Sequence, residues 1–249
     1  MKVPSHDNVE DSRRQRDMTR IVLLGYGAMG RELERLAPAA GCEVVGVYDE
    51  AKPLTHNSPD DYDVAIDFTL PDVVEKNIAI VCAHKRDMVI GTTGWYERMA
   101  NAQLLQTEAE NGIVWGSNFS VGVQMFFKLA RKAARLAHAL PEYSVSMQEW
   151  HHARKKDSPS GTAVTTRNIV LEEMKRIEAM DIMSMREGEI VGIHTLTFSG
   201  PHDTIDITHE ASDRGGFARG ALQAARWIHR RKGWYAYTDV FEQVAANQK

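Results

Sequence analysis

From Ile21 onward, short apolar runs alternate with stretches of helical length, and this alternation restricts the fold more than any other feature of the chain. Ile21–Leu24 (IVLL), Glu43–Tyr48 (EVVGVY), Asp63–Phe68 (DVAIDF), Met88–Gly91 (MVIG) and Ile113–Gly116 (IVWG) read as strands. A helix carrying Leu33 and Leu36 follows the first, and helices over 71–84 and 95–111 separate the later ones. Parallel strands need crossover connections of that kind, and a sheet covered on both faces needs strands that are apolar throughout. The pattern therefore predicts an α/β chain with a parallel sheet. After Asn118 the texture changes. A helix over 121–139 leads to a strand at Tyr143–Trp150 and a helix after Thr162. Two strands, Ile190–Phe198 and Thr204–Glu210, then follow each other directly. Strands in succession imply a mixed or antiparallel sheet. A helix over 216–229 and a short aromatic segment at Trp234–Tyr237 close the chain.

Gly25-Tyr26-Gly27-Ala28-Met29-Gly30 follows the first strand and opens a helix. Glycine in the first place permits the tight turn, in the second the approach of a pyrophosphate, and in the third close helix packing. The helix start adds N–H groups and a partial positive charge. The loop in this setting predicts a Rossmann-type dinucleotide-binding domain. Asp49 ends the second strand, where a carboxylate accepts from the adenosine ribose hydroxyls. No arginine follows it; the neighbour is Glu50, which disfavours a 2′-phosphate by repulsion and predicts NADH in preference to NADPH. Gly91, Thr92 and Thr93 end the fourth strand, and Gly116, Ser117, Asn118 and Phe119 end the fifth. Both groups fall at the carboxyl edge of the sheet, where the nicotinamide end would lie. Asp67 either caps the following helix or sits near the cofactor.

Composition narrows the partners. The 249 residues carry a formal net charge of −4, which lacks the concentrated basic surface that nucleic acid requires. The basic run Arg226–Lys232 suits the end of a helix. Cys42 and Cys82 are far apart and lack metal-ligand spacing, which fits a reduced, cytoplasmic protein with no metal. No apolar run approaches the roughly 20 residues that span a bilayer. Residues 1–17 mix acids and bases and read as a disordered lead-in rather than a secretory signal, with the folded chain starting at residue 21.

The chemistry concentrates in Glu149–Ala163, EWHHARKKDSPSGTA. His151 and His152 fall at the end of a strand and point in different directions. An imidazole suits proton transfer, since its ordinary pKa is about 6.5. Lys155, four residues after His151, can return to the same pocket to hold a carboxylate or donate a proton. Ser160, Gly161 and Thr162 then form a helix start whose amides suit a substrate carboxylate. His194 and His209 read as core or interface histidines.

The segment matches E-x-H-H-x-x-K-x-D-x-P-S-G-T-A and resembles the 4-hydroxy-tetrahydrodipicolinate reductases, formerly called dihydrodipicolinate reductases. The likeness continues through GYGAMG, AIDFT at Ala65–Thr69, GTTG, SNFSVG at Ser117–Gly122, EGEIVGIHTLTF at Glu187–Phe198 and FARGALQAARW at Phe217–Trp227. It implies an enzyme of lysine (diaminopimelate) biosynthesis that reduces a small cyclic dicarboxylate with NADH or NADPH. It also implies His151 and Lys155 as catalytic, and His152, Ser160, Gly161 and Thr162 as substrate-binding. Gly25 to Gly30, Asp49, Gly91 to Thr93 and Gly116 to Phe119 would line the cofactor site. The same resemblance implies a homotetramer built through the second domain's sheet, with residues 21–121 and 220–249 as the dinucleotide-binding domain and 122–219 as the substrate-binding and oligomerisation domain. Two other readings stay open: an amino-acid or imine dehydrogenase on the same scaffold, and a nicotinamide-binding protein without turnover.

Overall fold

The computed structural model describes residues 18–246, which divide into two compact units. The first runs to Gly116 and resumes at Ala218; the second is Ser117–Phe217. Residues 1–17, the expected lead-in, lie outside the described residues. The expected start at residue 21 is too late, because the first strand already begins at Thr19.

In the first unit β1 (Thr19–Leu24), β2 (Cys42–Tyr48), β3 (Val64–Asp67), β4 (Asp87–Ile90), β5 (Gly112–Trp115) and β10 (Gly233–Ala236) form one sheet in the order β10-β5-β4-β3-β1-β2. Every neighbouring pair is parallel. All four residues of β3 are buried, as a strand covered on both faces requires. The helices are α1 (Ala28–Leu36), α2 (Pro71–Ala83) and α3 (Met99–Ala109). Pro71 starts α2, where the absence of an N–H is harmless and the fixed φ suits the helix. The helix expected over 95–111 is shorter, since Tyr96–Arg98 is a 3-10 turn and Glu110 ends α3 in the left-handed region. The aromatic segment at Trp234 is β10, and a helix the sequence reading missed, α7 (Tyr237–Ala246), follows it.

The second unit has a four-stranded sheet in the order β7-β6-β8-β9, made of β6 (Ser144–His151), β7 (Ile182–Arg186), β8 (Ile193–Ser199) and β9 (Thr204–Glu210). β6 runs parallel to β7 and antiparallel to β8, and β8 runs antiparallel to β9. β7 is a strand the periodicity did not reveal. Helices α4 (Val121–His138) and α5 (Gly161–Glu173) are capped by Ser120 and Ser160, whose side chains accept from Val123 N and Ala163 N. A core of Phe126, Phe127, Ala130, Met147, Val170 and Leu196 unites the helices with one face of the sheet. Met183 and Met185, on alternate positions of β7, stand exposed. The helix α6 (Gly215–Ile228) leads out of this unit.

Candidate active site

In the first unit the glycine loop lies at the carboxyl ends of β1, β2 and β3. Gly25 has φ +90°, and a β-carbon there would run into the Phe68 carbonyl. A β-carbon at Gly30 would run into the Gly25 carbonyl, so its absence lets α1 close on the loop. Gly27 differs: nothing lies within 4 Å of the place its β-carbon would take. It is the N-cap of α1, whose first-turn N–H groups have no acceptor within the helix. Open space at the positive end of a helix fits a pyrophosphate. One cavity here is lined by Gly25, Tyr26, Gly27, Tyr48, Asp49 and Glu50. A second joins Gly27, Ala28 and Met29 to Gly91, Thr92 and Thr93. The residues present fit the dinucleotide.

Asp49 is exposed, and its Oδ1 accepts from the amides of Ala51 and Lys52, each at 3.0 Å. Its Oδ2 has no partner among the described residues. Lys52 Nζ is drawn to the Tyr48 ring, 5.6 Å from its centroid. The Tyr26 hydroxyl donates to Glu34. Asp67 is fully buried and accepts from Thr69 N at 2.9 Å, Thr69 Oγ1 at 2.7 Å, Asn77 Nδ2 at 2.8 Å and Thr92 Oγ1 at 2.8 Å. It therefore ties the loops after β3 and β4 together. Thr92 is buried in that tie and Thr93 is exposed. The Gly116 amide donates to Ile90 O at 3.1 Å.

In the second unit a buried acid organises the cluster. Alternation along β6 puts Met147, Glu149 and His151 on the helix-facing side. Register places Ser184, Glu149, His194 and His209 in one row across the four strands, and Arg186 beside His151. Glu149 has no exposure to solvent. It accepts from Ser160 N at 3.0 Å, Ser184 Oγ at 2.8 Å, Arg186 Nη2 at 2.8 Å, and from the Ser160 hydroxyl. Burial would raise its pKa, but the facing His194 and the bonds from Ser160 and Arg186 outweigh burial and hold the carboxyl well below the usual range.

His151 is 6% exposed, with Nδ1 3.6 Å from Glu149 Oε2 and its ring 5.0 Å from that of His194. Burial first, then His194, push its pKa down to about 4; Glu149 opposes the shift, and Lys155 and Arg186 add to it. Lys155 pairs with Asp157 at 2.8 Å. His152, just past the strand, is half-buried. Ser160 donates both its N–H and its hydroxyl to Glu149. The amides of Gly161 and Thr162, in the first turn of α5, have no acceptor within the helix, and nothing lies within 4 Å of a β-carbon at Gly161. Asn118 donates to Thr162 Oγ1 at 2.9 Å and Ser117 Oγ lies 3.3 Å from Thr165 Oγ1. Phe119 is buried.

Among the described residues, donor atoms of Glu149, His151 and His194 lie within 4.8 Å of one another, a spacing suited to a metal ion. The carboxylate is already occupied by two serines and the Arg186 guanidinium, whose charge repels a cation. The group is a hydrogen-bonded hub.

Residues 19–119 match the family described as dihydrodipicolinate reductase, N-terminus, and residues 122–241 match dihydrodipicolinate reductase, C-terminus. The chain belongs to the dihydrodipicolinate reductase family. A protein of Christiangramia forsetii named 4-hydroxy-tetrahydrodipicolinate reductase is 36% identical, over 91% of this chain and 99% of that one. One of the same name from Methanoregula boonei is 33% identical, over 90% and 98%. The fold matches that of a dipicolinate-bound dihydrodipicolinate reductase from Paenisporosarcina sp. TG-14, with TM-score 0.73 and 22% identity over 90% of this chain and 99% of that one.

In this family member, sequence reasoning missed the part played by Glu149 and the presence of Ser184 and Arg186 beside it. Glu149 was within reach, because it lies two residues before His151 and so shares its face of the strand. Arg186 was not, because nothing local announces that β7 pairs with β6. His194 is buried, as expected of a core histidine, but it stands against the cluster, with Nε2 3.2 Å from Ser160 Oγ.

Proposed function

We propose that this chain reduces 4-hydroxy-tetrahydrodipicolinate to tetrahydrodipicolinate in lysine (diaminopimelate) biosynthesis. The observation that carries the reading is one buried carboxylate, Glu149, that faces His151 and holds the Ser160 cap at the first turn of α5, with Lys155 in the loop between them. A reduced dinucleotide held by its pyrophosphate at Gly25–Gly30 would supply the hydride. The chain's own residues do the rest. Gly161 and Thr162 offer amides to a substrate carboxylate, His152 offers it a ring N–H, Lys155 offers it positive charge, and His151 moves the proton. Loss of the 4-hydroxyl as water leaves a conjugated imine; cationic groups on the carboxylates draw electron density from its ring and favour hydride addition at one ring carbon, and the proton goes to the neighbouring carbon. Holding both partners in one geometry supplies much of the rate.

Asp49 and Glu50 line the adenosine end of the first cavity, which supports a preference for NADH by repulsion of a 2′-phosphate. Gly91 to Thr93 and Gly116 form the nicotinamide end in this reading. The open face of the second sheet, with Met183 and Met185 exposed, supports a homotetramer. No helix among the described residues is long and apolar enough to cross a membrane; the two free, buried cysteines support a reduced, cytoplasmic setting.

The test is a coupled assay that generates the substrate with dihydrodipicolinate synthase, run with NADH and NADPH in parallel. Oxidation of the dinucleotide is expected, with NADH the better donor. Dinucleotide binding without oxidation refutes the reaction, and an advantage for NADPH of about tenfold in kcat/KM refutes the preference.

A further inference from the structure

We infer that Glu149 is a positioning residue, which anchors the Ser160 cap of α5 and faces the His151 ring, so that one carboxylate sets the carboxylate-binding amides and the proton-transferring imidazole relative to each other. The inference rests on the reductase reading above. A carboxylate with no solvent exposure is costly unless every partner is in place, and here the partners come from four directions. Ser160 binds it through both N–H and hydroxyl from the start of α5. Ser184 and Arg186 reach it from β7, and His194 faces it from β8 at 3.6 Å. His151 lies two residues on along β6 itself, with Nδ1 buried and 3.6 Å from Oε2.

These contacts do more than bury a charge. Ser160 is the residue whose side chain accepts from Ala163 N, at 3.2 Å, and so fixes where α5 begins. Shifting Ser160 shifts the Gly161 and Thr162 amides with it. Among the described groups that act most strongly on His151, this carboxylate is the negative one; Arg186 on β7, His194 on β8 and Lys155 in the following loop all disfavour a proton there. Removing the charge at Glu149 therefore loosens the anion-binding turn and further disfavours the imidazolium in a single step.

The experiment compares wild type, Glu149→Gln and Glu149→Asp as full chains. It combines steady-state kinetics, dinucleotide affinity by fluorescence, and NMR of 15N-histidine to read the tautomer and titration of His151. For Glu149→Gln the expected result is a kcat lowered by about 100-fold and a raised substrate KM. The His151 ring-nitrogen shifts change, with titration displaced to lower pH, while the dinucleotide Kd stays within about twofold. Glu149→Asp keeps the charge and restores part of kcat. A His151 spectrum and kcat that both match wild type overturn the inference. So does a loss of kcat with an unmoved His151 spectrum and an equally weakened dinucleotide, which marks general damage. If Glu149→Gln does not fold, Glu149→Asp is read by the same NMR: displaced His151 shifts support the inference and unmoved shifts overturn it. A wild type without turnover refutes the reductase reading alone, leaving the NMR comparison to decide Glu149.

Discussion

His151 holds a contradiction that the chemistry must resolve. Buried beside His194, Lys155 and Arg186, its pKa sits down at about 4, so in the free protein it is neutral at pH 7. A proton donor needs the charged form. A bound dianion reverses the local field and raises the imidazole's affinity for the proton. Substrate therefore charges its own donor, and the pH limb set by His151 is expected at higher pH in kcat, which reports the complex, than in kcat/KM, which reports the free enzyme. Coincident limbs refute this. Truncating the two residues separates their tasks. His151→Ala is expected to lower kcat by roughly 100-fold to 10,000-fold with little change in KM, and Lys155→Ala to raise KM as well as lower kcat. Near-wild-type kinetics for both variants refute the assignment. At this scale the residue types were legible, because His-His, Lys and Ser-Gly-Thr within fifteen residues announce proton transfer next to an anion site. That Ser160 spends its own groups on Glu149 was not, because the bond spans two elements.

Helix starts carry the binding surfaces, and the glycines within them divide by what a β-carbon would meet. Gly30 abuts the Gly25 carbonyl, whereas Gly27 and Gly161 face open space. Gly30→Ala is expected to cost about 1–3 kcal/mol by forcing backbone apart. Gly27→Ala is expected to leave the thermal midpoint within about 2 °C of wild type and to raise the dinucleotide Kd by about tenfold or more. Thermal unfolding and fluorescence titration check both. A Gly27→Ala protein that binds as wild type would mean that the pyrophosphate does not approach this turn. The glycine loop, the strand before it and the helix after it were readable from spacing alone. The strand β7 was not: IMSMR is short, and of its half-buried inward positions Ile182, Ser184 and Arg186 two are polar, so its alternation does not read as hydrophobic.

Over the whole molecule, the buried titratable groups singled out in the two units answer pH with opposite signs. In the second, Glu149 and His151 have lowered pKa values, so the unfolded chain binds more protons than the native one. Their stabilisation is complete above an ordinary imidazole pKa of about 6.5 and is lost as pH falls, through about 4 for His151. In the first unit burial raises the carboxyls of Asp67 and Asp87 despite their hydrogen bonds, so their stabilisation is present at low pH and lost as pH rises. Acidification from pH 7 towards 4.5 is therefore expected to open the second unit first. Hydrogen exchange followed by mass spectrometry checks this through the amides of 117–217 against those of the first unit. Protection lost first from β1, β3 and β4 would refute it.

What the sequence determined by itself is the class of fold, the cofactor loop and the motif that carries the chemistry, because each rests on periodicity or on spacing within a few residues. What only the tertiary structure decided is the company those residues keep. Asp67 became the tie between two loops, and Glu149 met partners from β7, β8 and α5. Strand order and register are set by burial summed over the entire sheet, and no local pattern records which residues that sum brings side by side.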